Sequence, residues 1–265
     1  MAARSIWKAN VRFGAVDVPV KMYSAVQDRA VRFRLLDATR HQPVKQHMVD
    51  PGTGDVVESG QLRRAFVTEA DELVMLDEEE LAELAPKESR DIQVTRFVPV
   101  EQITHEWYDR PYYLGPDEDD AGYFALAAAL RRRKVEGVAH WTMRGREYVG
   151  ALRAEGGYLM LITLRHAGEV VPASALPAPS GRALDERELA MARQLVAAME
   201  DPFDIAAYHD EYRERVQDFV EAKAAGKVVK FPRAPRRNTE ADLAEMLVAS
   251  LAASGAGGKK ERKRA

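Results

Sequence analysis

Three kinds of side chain follow one another between positions 107 and 152. First comes an aromatic cluster of Trp107, Tyr108, Tyr112 and Tyr113, interleaved with Pro111, Leu114, Gly115 and Pro116. Four consecutive cations follow, Arg131, Arg132, Arg133 and Lys134, and then Arg144 and Arg146 on a strand-like run over 138–152. Guanidinium and ammonium groups at this density neutralise phosphates and release counterions, which is binding chemistry rather than bond-making chemistry. The groups that would make or break bonds are missing or badly spaced. With no cysteine the chain has neither a thiol nucleophile nor a thiolate metal site. Gly52-Thr53-Gly54 is too short for a phosphate loop and lacks the third glycine. No Lys-X-Asp-Gly adenylation motif occurs. His41, His47 and Asp50 are near one another in sequence but lack a fourth ligand. Glu78, Glu79 and Glu80 fall in the first turn of a helix, where the macrodipole favours negative charge. The expectation is a binding protein with no catalytic residues, metal or cofactor. Two alternatives stay open: a metal-dependent nuclease or nucleotide-processing β-barrel enzyme using the acids of 69–91, and a general single-strand binder.

Each binding feature also has a structural explanation. The cations 131–134 suit a helix C-terminus, where the macrodipole favours positive charge. The aromatics of 107–114 suit core or subunit packing, because duplex nucleic acid offers no open base faces.

The elements that must position these groups belong to a globular chain of 265 residues, 46% hydrophobic and 31% charged. The net charge of −3 hides a strong segregation. Residues 1–68 hold eleven Lys or Arg against six acids and residues 131–166 hold eight against three, whereas 69–91 hold ten acids against two bases. Local potential within a Debye length of roughly 8 Å decides what docks on a surface, so the two basic blocks, folded onto one face, would line an anion site. No signal-peptide apolar region and no run of roughly 20 apolar residues is present, and the expected location is the cytoplasm.

Alternation with a period of two dominates the first half. Val16, Val18, Val20 and Met22 point one way and Asp17, Pro19 and Lys21 the other, with Pro19 suggesting an edge or a strand end. The run over 147–164 reads as a hairpin turning at Gly156-Gly157. A helix starts at Asp77, with Glu80 completing a capping box and Leu81 and Leu84 facing inward. A second amphipathic segment spans 123–130. The sum predicts a mainly β fold with helices (α+β), an antiparallel barrel at its centre.

Between Phe33 and Phe66 apolar residues are too few to fill a core, and the turn Pro51-Gly52-Thr53-Gly54-Asp55 between arms 44–49 and 56–66 predicts a protruding β-ribbon that a partner subunit could complete. The last third is helical, over 185–200 and about 208–225, the latter ending at Gly226. A basic, mobile strap follows, then a short amphipathic helix from Thr239 with Leu243, Met246, Leu247 and Leu251 on one face. The cations Lys259, Lys260, Arg262, Lys263 and Arg264 finish the chain.

In order and spacing, a series of motifs resembles the bacterial Ku proteins, DNA-end-binding homodimers of non-homologous end joining. The series begins with Arg4-Ser5-Ile6-Trp7-Lys8, Phe13-Gly14 and Pro19-Val20-Lys21-Met22-Tyr23, and continues with Asp77-Glu78-Glu79-Glu80-Leu81, Phe97-Val98 and Pro111-Tyr112-Tyr113-Leu114. It ends with Arg146-Glu147, Thr163-Leu164-Arg165 and Tyr212-Arg213, so the resemblance covers nearly the whole chain. It implies a Ku-type antiparallel β-barrel core over 1–180, without the extra terminal domains of eukaryotic Ku. A bridge arm at about 44–66 would form a ring with the second subunit. A helical C-terminal region over 185–226 and a basic tail over 227–265 would follow, and the C-terminal region would contact an ATP-dependent DNA ligase. It also makes Lys45, Arg63 and Arg64 on the arm, and Arg32 and Arg34 on the strand entering it, candidate phosphate contacts beside Arg131–Lys134, Arg144, Arg146 and the tail cations. One departure is Arg64-Ala65-Phe66, where many relatives carry Gly-Tyr. A closed ring of this kind is entered only by a free duplex terminus.

Overall fold

The computed structural model describes residues 3–181 and 185–227. In chain order the elements are β1 (Trp7–Phe13), β2 (Val16–Ser24), β3 (Arg64–Val67), β4 (Leu73–Leu76), α1 (Glu78–Leu84), β5 (Asp91–Pro99) and β6 (Tyr108–Pro116). They continue with α2 (Asp120–Arg133), β7 (Val135–Met143), β8 (Arg146–Glu155), β9 (Tyr158–Leu164), α3 (Glu186–Met199) and α4 (Glu211–Ala224). The chain divides into two compact units, one holding 33–175 with the residues up to 29, the other holding 30–32 with the chain from 176.

In the first unit seven strands close into a barrel in the order β1-β2-β6-β9-β8-β7-β5. Neighbours pair antiparallel except at the seam, where Asn10, Val11 and Arg12 of β1 run parallel to Asp91, Ile92 and Gln93 of β5. The predicted alternation in β2 holds from Val18: Val18, Val20 and Met22 are buried, while Val16 at the turn is exposed. Pro19 is not on an edge strand. It sits where the β2–β6 ladder, which pairs Val20–Ser24 with β6, comes to its end, so its missing N–H costs no bond there.

Inward side chains from every barrel strand fill one core, including Val11, Val20, Ile92, Leu114, Trp141, Leu152 and Leu161. α2 packs against β2, β7 and β8 and adds Tyr123, Leu126, Ala127 and Leu130 to that core, the inward face predicted for 123–130. Each fully buried aliphatic side chain contributes roughly 1.5–3 kcal/mol. Tyr123 also carries a polar link: its hydroxyl donates to the Leu114 carbonyl at 2.5 Å and accepts from the Leu159 amide at 2.7 Å, tying α2 to β6 and β9.

Three glycines are needed, for two different reasons. Gly156 and Gly157 both have positive φ and make the two-residue turn between β8 and β9, as their sequence predicted. Gly150 makes room: a Cβ there would stand 2.7 Å from the Ile162 carbonyl oxygen and 2.7 Å from the Trp141 ring, which stacks on Tyr148.

Ion pairs staple the barrel wall. Asp117, just past β6, is nearly buried and accepts from Lys21 at 2.7 Å and Lys8 at 2.8 Å. The hydrogen bonds from Lys21 and then Lys8 hold its carboxyl below the usual aspartate value, and the same contact raises the Lys21 ammonium. Glu136 of β7 is fully buried; the Tyr108 hydroxyl donates to its Oε2 at 2.6 Å, and its Oε1 forms an ion pair with the Arg153 guanidinium at 3.2 Å without a hydrogen bond. Burial, reinforced by that hydrogen bond, pushes the Tyr108 phenol well above its ordinary value.

α1 has the predicted capping box between Asp77 and Glu80. Leu81 is half-buried, but Leu84 is 81% exposed, a correction to the inward face expected for it. In the second unit α3 starts at Asp185, whose carboxylate accepts from the Glu188 amide at 2.8 Å, and α4 starts at Asp210, which accepts from the Arg213 amide at 2.9 Å. The chain leaves α4 through Gly226 at φ 72°. The strap, the amphipathic segment from Thr239 and the terminal cations Lys259, Lys260, Arg262, Lys263 and Arg264 lie outside the described residues.

Gly150→Ala is expected to destabilise the barrel by about 2 kcal/mol, because a backbone carbonyl cannot retreat from the added methyl; urea unfolding monitored by tryptophan fluorescence measures it. Asp117→Asn is expected to lower Tm at pH 7. Because the folded carboxyl titrates below its unfolded value of about 3.8, its stabilisation is present above that pH and lost as pH falls through the folded value. Wild type and variant should therefore converge as pH falls through that folded value.

Candidate nucleic-acid interface

The run expected as one strand over 138–152 is a hairpin. β7 ends at Met143, β8 begins at Arg146, and Arg144-Gly145 forms a two-residue turn with φ of 54° and 71°. Two successive positive φ values match the twist of antiparallel strands, and only the glycine signals it in sequence, since arginine seldom takes the first place. The turn lifts Arg144 out of the ladder into solvent and leaves Arg146 exposed at the start of β8.

Arg131, Arg132 and Arg133 form the last turn of α2, and Lys134 caps it in the left-handed region at φ 52° and ψ 47°. All four are exposed. Their charge opposes the partial negative charge of the helix terminus, so the cap role read from sequence and a role in anion binding are compatible.

The segment from 33 to 76 differs from the expected ribbon. The turn at Pro51–Asp55 is there, closed by hydrogen bonds from the Asp50 amide to the Asp55 carbonyl and from the Val57 amide to the Met48 carbonyl. The arms flanking it meet at a single bridge, Val49 with Val56, and form no continuous ladder; regular pairing occurs between β3 and β4 instead. Pro43 and the polar residues between the arms leave few side chains to pack across a longer ladder. Arg32 and Arg34 lie in irregular backbone rather than on an entering strand, with Arg32 assigned to the second unit. Lys45 is exposed in the same kind of backbone, and Arg64 opens β3. Arg63 turns back on its own loop, donating to the Gly60 and Leu62 carbonyls at 3.0 Å each.

This segment is also rich in exposed apolar side chains. Phe33 is 68% and Leu73 71% exposed, and Leu35, Met48, Phe66 and Met75 resemble them.

The structure sorts the cations into two groups that the sequence does not distinguish. Lys8 and Lys21 are taken up by Asp117, Arg12 by Asp17 and Asp91, Arg153 by Glu136 and Glu155, and Arg165 by Asp109 and the Tyr108 and Glu106 carbonyls. Among the described residues Arg34, Lys45, Arg64, Arg131, Arg132, Arg133, Lys134, Arg144 and Arg146 make no ion pair. A cation already neutralised by a neighbouring acid has little left for a phosphate, whereas an uncompensated one in water can exchange counterions for it.

The aromatic cluster is structural in part. Tyr112 and Leu114 are buried in the core, and Tyr108 serves Glu136, while Tyr113 stays exposed beside Tyr158. No three histidines or carboxylates among the described residues converge as metal ligands would, the acids of 69–91 and the trio His41, His47 and Asp50 included. Among the described residues no helix is long and apolar enough to cross a membrane.

Residues 12–191 match the family model described as the Ku70/Ku80 beta-barrel domain. The non-homologous end joining protein Ku 2 of Geotalea uraniireducens (strain Rf4) is 34% identical over 253 residues, spanning 95% of this chain and 98% of that one. The non-homologous end joining protein Ku 3 of Saccharopolyspora erythraea is 36% identical over 93% of this chain and 95% of that one. The non-homologous end joining protein Ku of Coxiella burnetii (strain RSA 331 / Henzerling II) is 31% identical over 95% of each. With a seven-stranded barrel, a family model matched over most of that barrel and relatives aligned along nearly its full length, this chain belongs to the Ku family.

Proposed function

We propose that this chain is a noncatalytic, homodimeric clamp that binds double-stranded DNA ends without reading their sequence and recruits an ATP-dependent DNA ligase in non-homologous end joining. The observation that carries this reading is the segment from 33 to 76, which combines exposed Phe33, Met48, Phe66 and Leu73 with the uncompensated Arg34, Lys45 and Arg64. Large apolar side chains left in water are unfavourable, and a second copy of the same segment would cover them with twofold symmetry. The cations would then line the inside of a closed path.

A lining of Lys and Arg without base-edge readers gives strong, salt-sensitive, sequence-independent binding. The phosphate contacts in this reading are Arg32, Arg34, Lys45, Arg63, Arg64, Arg131, Arg132, Arg133, Lys134, Arg144 and Arg146, with Lys259, Lys260, Arg262, Lys263 and Arg264 of the tail added. Closure of the ring gives the preference for ends, because a duplex without a terminus cannot be threaded. The clamp itself makes no bond; sealing belongs to the ligase, which the C-terminal region would engage. The site of action is the nucleoid.

A gel shift with a labelled linear duplex, at stated salt, tests the clamp. Unlabelled linear fragments are expected to displace the probe while closed circles of the same sequence are not, and equal competition by circles would reduce the protein to an ordinary backbone binder. Arg144→Glu is expected to weaken end binding by roughly tenfold near 0.1 M salt and to lower the slope of log affinity against log salt by about one. An unchanged slope would remove Arg144 from the interface.

A further inference from the structure

The barrel seam opens into a cavity of about 540 Å³ where β1 and β5 begin and β7 ends. Its lining brings together cations from three separate stretches of chain: Lys8 of β1, Arg90 just before β5, and Arg144 of the β7–β8 turn. Among the described residues neither Arg90 nor Arg144 has a carboxylate within ion-pair distance or a hydrogen bond from its guanidinium. Lys8 is held by Asp117 at 2.8 Å, and Glu88 is the acid in the lining, so cationic charge exceeds anionic.

Hydroxyl donors complete the set. Ser89 accepts the Asp91 amide at 3.0 Å, which leaves its own O–H free to donate, and Thr142 of the neighbouring β7 also lines the cavity. The half-buried Trp7 and buried Met143 supply an apolar wall, and a low-dielectric wall strengthens the field of nearby cations. Two planar five-donor groups with hydroxyls beside them match the tetrahedral oxygens of a phosphate.

We propose that this seam cavity is an oxyanion site that seats one phosphate group, with Arg90 and Arg144 as its principal ligands and Ser89 and Thr142 as further donors. The phosphate is one of the DNA strand, which rests on the clamp reading above; a free phosphate or nucleotide shares the chemistry and is the other source. Arg90 thereby joins the interface, although it lies at the edge of the most acidic stretch of the sequence.

The test uses the full chain and an Arg90→Gln/Arg144→Gln double variant. Inorganic phosphate is titrated at constant ionic strength with tryptophan fluorescence as the readout, since Trp7 lines the cavity, and duplex affinity is measured over a range of salt. Wild type is expected to show a saturable phosphate response that weakens by roughly tenfold in the variant, with the DNA salt slope reduced by about one. The Arg90→Lys/Arg144→Lys variant is expected to keep part of the response, and matching circular dichroism guards against misfolding. A phosphate response lost in the variant with an unchanged DNA slope would overturn the strand assignment in favour of a free phosphate or nucleotide. No saturable response in wild type would overturn the oxyanion site itself. Failure of wild type to bind duplex ends would sink the clamp, while the phosphate titration would still decide the cavity.

Discussion

The parallel pairing of β1 with β5 is the constraint on which the rest of this molecule depends. Antiparallel neighbours link the seven strands in a row, and without the seam the row would end in two free edges with unpaired amides and carbonyls. The join uses few residues, Asn10–Arg12 against Asp91–Gln93, helped by the Asn10 amide donating to the Arg90 carbonyl at 2.8 Å. It can be made because the long insertion between β2 and β5 returns the chain to the far side of β1. Closure then fixes which residues face the common core, gives α2 a surface to pack on, and brings Lys8, Arg90 and Arg144 around one cavity.

Electrostatics follow from the same frame. The barrel wall spends its own cations on its own acids, and Glu136 shows how demanding this is: a fully buried carboxylate needs both the Tyr108 hydroxyl and Arg153. Removing one partner of such a group is costlier than never having had the pair. Outside these staples, Arg34, Lys45, Arg64, Arg131, Arg132, Arg133, Lys134, Arg144 and Arg146 sit on turns, a helix end, strand starts and the irregular segment between β2 and β3, and make no ion pair among the described residues, whereas Arg40 in that same segment pairs with Asp37 at 4.0 Å. A chain of net charge −3 can therefore present local surfaces of opposite sign, and proximity rather than total charge governs a polyanion's approach.

Local patterns carried far because their physics is local. The alternation of Val18, Val20 and Met22 marks an inward face, Gly156-Gly157 marks a tight turn, and Asp77, Asp185 and Asp210 mark helix starts. Pattern failed where a distant partner decided. Nothing near Glu136 announces a buried acid, and nothing near Gly150 announces that the Trp141 ring and the Ile162 carbonyl occupy the place of a side chain. Leu84 reads as a core residue on a helical wheel yet is exposed, since periodicity names a face and cannot supply the surface to cover it.

By itself, then, the sequence determined the mainly β class, the helix starts, the absence of thiol chemistry and the segregation of basic and acidic stretches, all of which depend on residue type and short-range spacing. The motifs spread from Arg4 to Arg213 carried the family resemblance as well, through their order. The tertiary structure decided which cations are already neutralised, that Arg144 sits in a turn rather than in a strand, and that Arg90 faces the same cavity. The last of these depends on the closure of β1 against β5, which brings together residues some eighty to one hundred and thirty positions apart, and spacing along the chain holds no record of that distance.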